Sequence, residues 1–176
     1  MKKCLVLIDL QNGFKNNNTE VIFERIKSFI SNNRFIFDHI VATRYVNNPN
    51  TACYKFEGWK DCMEGSQESE LVDWLKNNKT IEKVFDKSVY SCFNDEFKNY
   101  LKDKNINKVY FVGVNTDCCV LHSVLDCYNS VIDCSIIKDL CGSTLGKESH
   151  DCAIHILNNC ITKERVVSVQ DILSFL

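Results

Sequence analysis

The 176-residue sequence contains one proline, six glycines and no apolar run that approaches the roughly 20 residues a helix needs to cross a bilayer. The initial Met-Lys-Lys leads directly into a short apolar segment instead of a secretory leader, so we expect a cytoplasmic location. A net charge of -2 provides no bulk attraction for nucleic acid or for an anionic membrane surface. The expected partner is therefore a small molecule.

Cysteine is abundant, with eleven residues, but the spacing C-x-x-C is absent. A thioredoxin-type redox site and a four-cysteine zinc site both lack their usual spacing. No secretory leader is recognised, and a chain of this length needs no disulfide bonds to be stable. The thiols are therefore expected to stay reduced. Five of the thiols lie in apolar or amphipathic stretches and are predicted to pack in the core, namely Cys4, Cys127, Cys134, Cys152 and Cys160.

Short apolar runs of strand length alternate with amphipathic stretches of helix length. The runs are continuously apolar, which is typical of strands covered by helices on both faces of a parallel sheet. The pattern predicts one α/β domain over residues 1–176, a three-layer α/β/α sandwich with a mostly parallel, Rossmann-like sheet of six strands. The predicted strands are 4–9, 38–43, 81–86, 108–114, 130–137 and 166–167, and the predicted helices are 19–32, 67–78, 93–104, 117–129 and 148–159.

Residues 44–66 form a segment too long for an ordinary connection, and they include the only proline. Two interpretations of this segment remain open. The segment is either a substrate lid or a solvent-exposed excursion held to the core by Trp59.

Polar residues follow three of the predicted strands at the edge where an open parallel sheet binds its ligands. Asp9 ends the first strand, Lys87 follows the third, and the pair Cys118-Cys119 follows the fourth. Each is a weak signal alone, because Asp at a strand end often caps a turn and Lys is usually a solvated charge. Their coincidence at one edge predicts a catalytic site.

A thiol becomes a nucleophile as its thiolate, which a cation, a base or a helix N-terminus favours. Thr116 or Asp117 is predicted to cap the helix that begins there, which places the cysteine pair in its first turn. Lys87 supplies the cation, and Asp9 can accept the thiol proton and return it to a departing amine. Nearby backbone N–H groups could stabilise an oxyanion. The alternative is that one or both cysteines only pack in the hydrophobic core and have no catalytic role.

The stretch GVNTDCCVLHSVLDC at 113–127 resembles the pattern G-x-x-T-D-x-C-V-x-x-T-x-x-D-A of the isochorismatase-like hydrolases, with Ser123 for Thr and Cys127 for Ala. This family includes nicotinamidases and N-carbamoylsarcosine amidases. Other segments resemble further family motifs in the same order, namely IDLQNGF at 8–14, DKSVYSCF at 86–93, IIKDLCGS at 136–143 and ESHDCAI at 148–154.

The resemblance implies roles for particular residues. Asp9 would be the general base, Lys87 the cationic member and Cys119 the nucleophile, with the backbone N–H groups of Asn115 and Cys119 as the oxyanion hole. It also implies a cis peptide bond between Val114 and Asn115. The implied reaction attacks an amide-like carbon, releases ammonia or an amine, and hydrolyses the resulting thioester.

The substrate-binding residues are expected near the same edge. The resemblance implies that Gln11 and Phe14 line the pocket together with residues of the 44–66 segment, including Trp59. Arg44, at the end of the second strand, could bind a substrate carboxylate through its planar fork of donors. A surface salt bridge is the alternative for Arg44.

The sequence departs from nicotinamidases after the second strand, where those enzymes carry a D-x-H metal motif and further histidines. This chain reads TRYVNNPNTACYKF there, so neither a metal nor any other cofactor is predicted, and nicotinamidase activity is disfavoured. The four histidines lie elsewhere, at spacings typical of helix faces or caps.

Three functions remain open at this stage. The favoured one is a cysteine hydrolase that cleaves a small amide or ureido C–N bond. The alternatives are an isochorismatase-type vinyl ether hydrolase and a non-catalytic thiol sensor of oxidation. The family resemblance also leads us to expect a homodimer or a larger homo-oligomer.

Overall fold

The computed structural model describes residues 1–174 and contains one sheet of six parallel strands in the order β3-β2-β1-β4-β5-β6. The predicted α/β architecture is confirmed, and the sheet is parallel throughout. The strands are β1 (Lys2–Ile8), β2 (His39–Tyr45), β3 (Lys83–Lys87), β4 (Ile106–Val114), β5 (Asp133–Gly142) and β6 (Val166–Val167).

Helices cover both faces of the sheet because the strands are apolar on both sides. Along β1, the side chains of Cys4, Val6 and Ile8 enter one hydrophobic cluster, and those of Leu5 and Leu7 enter the other. The helices are α1 (Glu20–Asn33), α2 (Ala52–Glu57), α3 (Asp73–Lys76), α4 (Asp95–Asp103), α5 (Leu121–Asn129), α6 (Lys147–Cys160) and α7 (Val169–Ser174). None of the helices within residues 1–174 has the length and apolar character required to cross a membrane.

The strand order reverses at β1, which lies between β2 and β4, so a crevice opens beyond the carboxyl ends of these strands. Gly113 lets β4 approach β1 closely there. Its φ is 121°, and a Cβ atom at this position would lie 2.2 Å from the carbonyl oxygen of Ile8. Any other residue would separate the two strand ends at the crevice.

The predicted helix over 67–78 is wrong for most of its length, since only Asp73–Lys76 is helical. The backbone before it pairs with the segment after β1 instead. The N–H groups of Asn12 and Gly13 donate to the carbonyls of Glu70 and Glu68, each at 2.9 Å. These long-range hydrogen bonds take the acceptors that a helix over this segment would have used.

Other element boundaries also differ from the predicted ones. β5 begins at Asp133 because the preceding residues close the end of α5 through a turn with Val131 at φ 59°. It then continues to Gly142. The terminal helix α7 was not predicted.

All eleven cysteines are free in this structure. Cys4, Cys127 and Cys134 are buried as predicted, but Cys152 and Cys160 are exposed. The apolar face of α6 is defined instead by Ala153 and Leu157, which are four residues apart and face the sheet, so that Cys152 and Cys160 fall outside it.

Candidate active site

Asp9, Lys87 and Cys119 meet in one buried cluster at the crevice. The Lys87 ammonium donates to Oδ2 of Asp9 at 2.7 Å and to Sγ of Cys119 at 3.3 Å. Its remaining donor reaches the carbonyl of Val89 at 3.2 Å. All three donors of the ammonium are thus engaged, and the Lys87 side chain is held between the carboxylate and the sulfur.

Thr43 also belongs to this cluster, and the sequence analysis missed it. Its hydroxyl donates to Oδ1 of Asp9 at 2.6 Å and accepts from the Asp9 N–H at 3.1 Å. Asp9 has a φ of 50°, a left-handed conformation that Asp tolerates better than most residues. The polar Thr43 at the carboxyl end of the predicted strand was the only available signal.

Cys119 lies in a π-helical turn, Thr116–Val120, that connects β4 to α5. The Asn115 carbonyl accepts hydrogen bonds from the N–H groups of Cys118 and Val120, both at 3.1 Å. The peptide bond between Val114 and Asn115 is cis, as the family resemblance implied. The turn therefore begins at Asn115 and carries the thiol at the N-terminal end of the helix.

The predicted capping of this helix by Thr116 or Asp117 is wrong. The residue that precedes the turn is Asn115, and it makes no side-chain capping bond. The hydroxyl of Thr116 instead pairs with Nδ1 of His150 at 2.9 Å. Oδ1 of Asp117 is buried and has no hydrogen-bond partner among the described residues.

The charges in the cluster favour a protonated thiol. Burial raises the pKa of Cys119 well above its ordinary value; the Asp9 carboxylate adds to the rise, and the Lys87 ammonium opposes it. Burial acts to lower the pKa of Lys87, but Asp9 and Cys119 raise it, and the net result is a raised pKa. A carboxylate, an ammonium and a neutral thiol form a cluster without net charge, whereas a thiolate would add an uncompensated buried charge.

Cys119 opens onto a cavity of about 380 Å³ at the carboxyl ends of the strands. Aromatic side chains form much of its wall, and Phe14 stacks on Trp59 with ring centroids 6.1 Å apart. The lining residues are Gly13, Phe14, Asn16, Tyr45, Cys53, Glu57, Trp59, Asp61, Tyr90, Asn115, Asp117, Cys118, Cys119, Thr144 and Leu145.

Two of the four predicted substrate-binding residues, Phe14 and Trp59, line this cavity, and two do not. The buried amide of Gln11 donates to the carbonyls of Tyr45 and Ser69 and accepts from the Tyr45 N–H. Gln11 is therefore a structural bridge between β2 and the 66–72 segment, and its prediction as a substrate-binding residue is corrected.

Arg44 lies outside the cavity and forms a bidentate ion pair with Asp86, at 2.7 Å and 2.6 Å. Successive side chains of a strand point to opposite faces of a sheet. Because Thr43 and Tyr45 face the site, Arg44 between them faces away. The structure favours the salt-bridge reading of Arg44 and contradicts its role in substrate binding.

The 44–66 segment contains α2 and covers the cavity through Cys53, Glu57, Trp59 and Asp61. Its path is fixed by the buried side chain of Asn47, which donates to the carbonyls of Trp59 and Asp61 at 2.9 Å and 3.0 Å. The segment is a wall of the cavity, with Trp59 packed between Phe14 and Tyr45.

A family model described as the isochorismatase domain matches residues 3–170. The chain belongs to the isochorismatase family. This family of hydrolases was the one inferred from the motifs, and the assignment is confirmed over nearly the whole chain.

Two curated relatives show how far the similarity extends. Isochorismatase family protein 1A of Dictyostelium discoideum is 29% identical over 134 residues, which cover 72% of this chain and 64% of that protein. The chain thus spans less than two thirds of that relative. A nicotinamidase of Acinetobacter baylyi is 25% identical over 171 residues, covering 78% of this chain and 80% of the relative.

Two solved structures share the fold. An isochorismatase-like hydrolase from Alkaliphilus metalliredigens has a TM-score of 0.86 at 20% identity and covers 99% of both chains. N-carbamoylsarcosine amidase from Thermoplasma acidophilum has a TM-score of 0.80 at 20% identity, with 96% of both chains covered. At these identities the likeness concerns the fold alone.

The residues at the end of β2 and just after it do not fit a metal ion. Arg44 is cationic and paired, and the amide of Asn47 is fully hydrogen-bonded, since its oxygen accepts from the Thr51 hydroxyl. Among residues 1–174, no group of three or more His, Cys, Asp or Glu side chains is placed to hold a metal.

Proposed function

We propose that this protein is a cysteine hydrolase that cleaves an amide or ureido C–N bond of a small molecule through a thioester on Cys119. One observation carries the proposal. Lys87 lies between the carboxylate of Asp9 and the sulfur of Cys119, at 2.7 Å and 3.3 Å, and Cys119 faces the cavity. The cluster supplies a nucleophile, a proton acceptor and a fixed cation, and the cation is within hydrogen-bonding distance of the other two.

The raised pKa of the Cys119 thiol defines the first step. Since the free cluster holds a neutral thiol, the proton moves to Asp9 as the sulfur attacks the carbonyl carbon. As the proton moves, the negative charge passes from the Asp9 carboxylate to the sulfur of Cys119. Lys87 contacts both groups and stabilises this charge, so the cluster never holds more than one charge without a partner. Negative charge then develops on the substrate oxygen.

The turn at Asn115 is suited to receive that oxygen. Cys118 and Val120 donate to the Asn115 carbonyl, and the intervening N–H of Cys119 does not share this acceptor. The N–H groups of Asn115 and Cys119 are the proposed oxyanion hole, in which each donor contributes about 2.7 to 4 kcal/mol to transition-state stabilisation.

The remaining steps return the enzyme to its starting state. The C–N bond breaks as Asp9 gives its proton to the departing nitrogen, which leaves a thioester and ammonia or an amine. Water then gives a proton to Asp9 and attacks the thioester carbon. The C–S bond breaks, and Asp9 returns the proton to the sulfur as the carboxylic or carbamic acid product leaves.

The experiment is hydrolysis of a panel of small primary amides and ureido compounds, followed by ammonia release and by the intact mass of the protein. The native chain should release ammonia and accumulate an acyl adduct on Cys119, and Cys119→Ala should do neither while keeping its melting temperature. Cys152→Ala, at an exposed position on α6, is the matched control and should retain activity.

Full activity in Cys119→Ala would refute the assignment. Cleavage of isochorismate without an adduct would favour the ether hydrolase. A disulfide or sulfenic acid formed by mild peroxide, in a protein that hydrolyses no amide, would favour the thiol sensor.

A further inference from the structure

One wall of the cavity beside Cys119 carries polar groups that the proposed mechanism does not use. Asn115 and Thr144 both line the cavity, and the Thr144 N–H donates to Oδ1 of Asn115 at 2.8 Å. A backbone N–H can only donate, so this bond fixes which end of the Asn115 amide faces Thr144. The oxygen faces Thr144, and the Nδ2 group, with its two N–H donors, faces away from it.

The Nδ2 group of Asn115 is available to a ligand. It makes no hydrogen bond within residues 1–174, where the only side-chain N or O atom that is buried without a partner is Oδ1 of Asp117. Nδ2 therefore has accessible surface. Val114 and Thr116, on either side of Asn115, are fully buried, so the accessible part of Asn115 belongs to the cavity that this residue lines.

The hydroxyl of Thr144 is a second free group on the same wall. Thr144 is half-buried, and in the described part of the chain its hydroxyl also makes no hydrogen bond. Its backbone is held in place, because the Thr144 carbonyl accepts from the side-chain amides of Asn16 and Asn18, at 3.0 Å and 2.9 Å. The wall is thus formed before a substrate binds, so little ordering entropy opposes binding to it.

Asn115 and Thr144 lie outside the specified positions of the family motifs. Asn115 occupies an unspecified position of the pattern G-x-x-T-D-x-C, and Thr144 follows the last residue of the IIKDLCGS segment. The proposed mechanism uses the backbone N–H of Asn115 and not its side chain. Both side chains can therefore serve substrate selection in this chain without taking part in the chemistry at Cys119.

The two free groups suit a carbonyl oxygen. Such an oxygen has two lone pairs and can accept from Nδ2 of Asn115 and from Oγ1 of Thr144 at once. The hydrogen bond between these two residues keeps both groups on one part of the wall. The carboxylates that line the cavity, Glu57, Asp61 and Asp117, can only accept and so offer nothing to a carbonyl oxygen.

Building on the proposed function, we infer that the substrate is an amide or ureide with a second carbonyl group, and that Asn115 and Thr144 are specificity-determining residues that bind its oxygen. The reacting carbonyl lies at Cys119. The second carbonyl lies at the wall formed by Asn115 and Thr144, and the aromatic side chains of the cavity hold the body of the substrate between them.

The test uses two pairs of neutral compounds. The first pair is 3-acetylbenzamide and 3-isopropenylbenzamide, and the second pair carries the same groups at position 4. The isopropenyl group has the shape of the acetyl group, but its C=CH2 end accepts no hydrogen bond. The two ring positions place the second oxygen at two distances from the scissile amide. The acetyl preference is the ratio of kcat/KM within a pair.

Asn115→Asp keeps an oxygen for the Thr144 N–H and removes the Nδ2 donor. In at least one pair it should lower the acetyl preference roughly 3- to 10-fold, the range expected for a hydrogen bond between neutral groups. The electronic effect of the acetyl group on the amide is the same in every variant, so the change in the ratio reports the contact. A residue with a purely structural role would lower kcat/KM equally for both members of a pair.

Thr144→Val removes the second donor without changing the charge, and it should lower the acetyl preference in the same pair. Thr144→Ser keeps the hydroxyl and should keep the preference. Asn99→Asp is the matched control for the added charge, because Asn99 is exposed on α4 and lies outside the cavity. It should leave the preference as in the native chain. An unchanged preference in Asn115→Asp or in Thr144→Val, or an equal loss for all four compounds, overturns the inference.

Binding to the inactive Cys119→Ala protein separates this inference from the proposed function. Calorimetry should show that the acetyl member of the selected pair binds roughly 3- to 10-fold more tightly than its isopropenyl partner. Asn115→Asp in the same background should remove the difference. This difference in binding, together with a native chain that hydrolyses no amide and forms no adduct, would contradict the proposed function alone. Amide hydrolysis with an acetyl preference that neither substitution changes would contradict the inference alone.

Discussion

The Thr43 hydroxyl donates to Oδ1 of Asp9 at 2.6 Å, and the same hydroxyl oxygen accepts from the Asp9 N–H at 3.1 Å. This reciprocal pair fixes one carboxylate oxygen from the neighbouring strand. The other oxygen, Oδ2, is left to the Lys87 ammonium at 2.7 Å. We propose that Thr43 is a positioning residue for Asp9, the proton acceptor of the proposed mechanism.

Replacing Thr43 with Val removes the hydroxyl and keeps the shape of the side chain. We expect kcat/KM to fall by about 10- to 100-fold, because hydrogen bonds to a charged group are worth about 1.5–3 kcal/mol. Thr43→Ser restores the donor and should recover activity to within a few-fold. If Thr43→Ser is as impaired as Thr43→Val at equal melting temperatures, packing and not the hydroxyl is what matters.

The convergence of Asp9, Lys87 and Cys119 was predictable because the carboxyl ends of parallel strands meet at one edge, so these side chains had to come together once the strands were identified. Thr43 was harder to find, since a polar residue near the end of a strand is common. Strand alternation did contain the signal that Arg44 faces away from the residues on either side of it.

Gln11 could not have been interpreted correctly from local pattern. Its amide is satisfied by Tyr45 and by the carbonyl of Ser69, 58 residues away. That contact exists only because the backbone of 66–72 pairs with the segment after β1 and does not form the predicted helix. Long-range pairing overrode the helical pattern in this segment. The same pairing holds the Gln11 amide between β2 and the 66–72 segment, whereas the family resemblance had implied a place for it in the pocket.

The ion pair between Lys87 and Asp9 is buried, with side-chain exposures of 2% and 0%. Lys87→Met should lower the free energy of unfolding by about 3–5 kcal/mol, because it leaves the Asp9 carboxylate uncompensated in the interior. The double variant Asp9→Asn with Lys87→Met should lose less than the sum of the two single variants. Urea denaturation of the four proteins measures the coupling, and strict additivity would contradict it.

Alkylation by iodoacetamide reports the protonation state of Cys119. Since its pKa is raised well above the ordinary value, chiefly by burial, the thiolate fraction is small at pH 7. The rate of labelling at Cys119 should then rise about tenfold per pH unit from pH 7 to 9. Peptide mass spectrometry follows this site, with the exposed Cys152 as the reference for the reagent. A plateau below pH 8 would show that the free enzyme holds a thiolate.

The Asp9→Asn variant separates the role of Asp9 in proton transfer from its electrostatic effect on the sulfur of Cys119. Asp9 raises the pKa of Cys119 and Lys87 lowers it, so removing the carboxylate charge should lower this pKa. Labelling at pH 7 should therefore become faster than in the native chain, although amide hydrolysis is lost because the departing nitrogen receives no proton. Slower labelling in Asp9→Asn would contradict the assigned charges.

Buried thiols that do not line the cavity should make the protein sensitive to alkali. Burial raises the pKa of Cys92 to about 12. Below the ordinary thiol pKa of about 8.5, both folded and unfolded states hold this proton, and the full stability is present. At higher pH the unfolded chain ionises first, so stability falls progressively until the folded pKa is reached.

Cys92→Ala removes one such proton and should make the decline in the free energy of unfolding between pH 9.5 and 11 shallower by about 1.4 kcal/mol per pH unit. Chemical denaturation at several pH values measures the slope, and an identical slope in both proteins would show that Cys92 does not contribute.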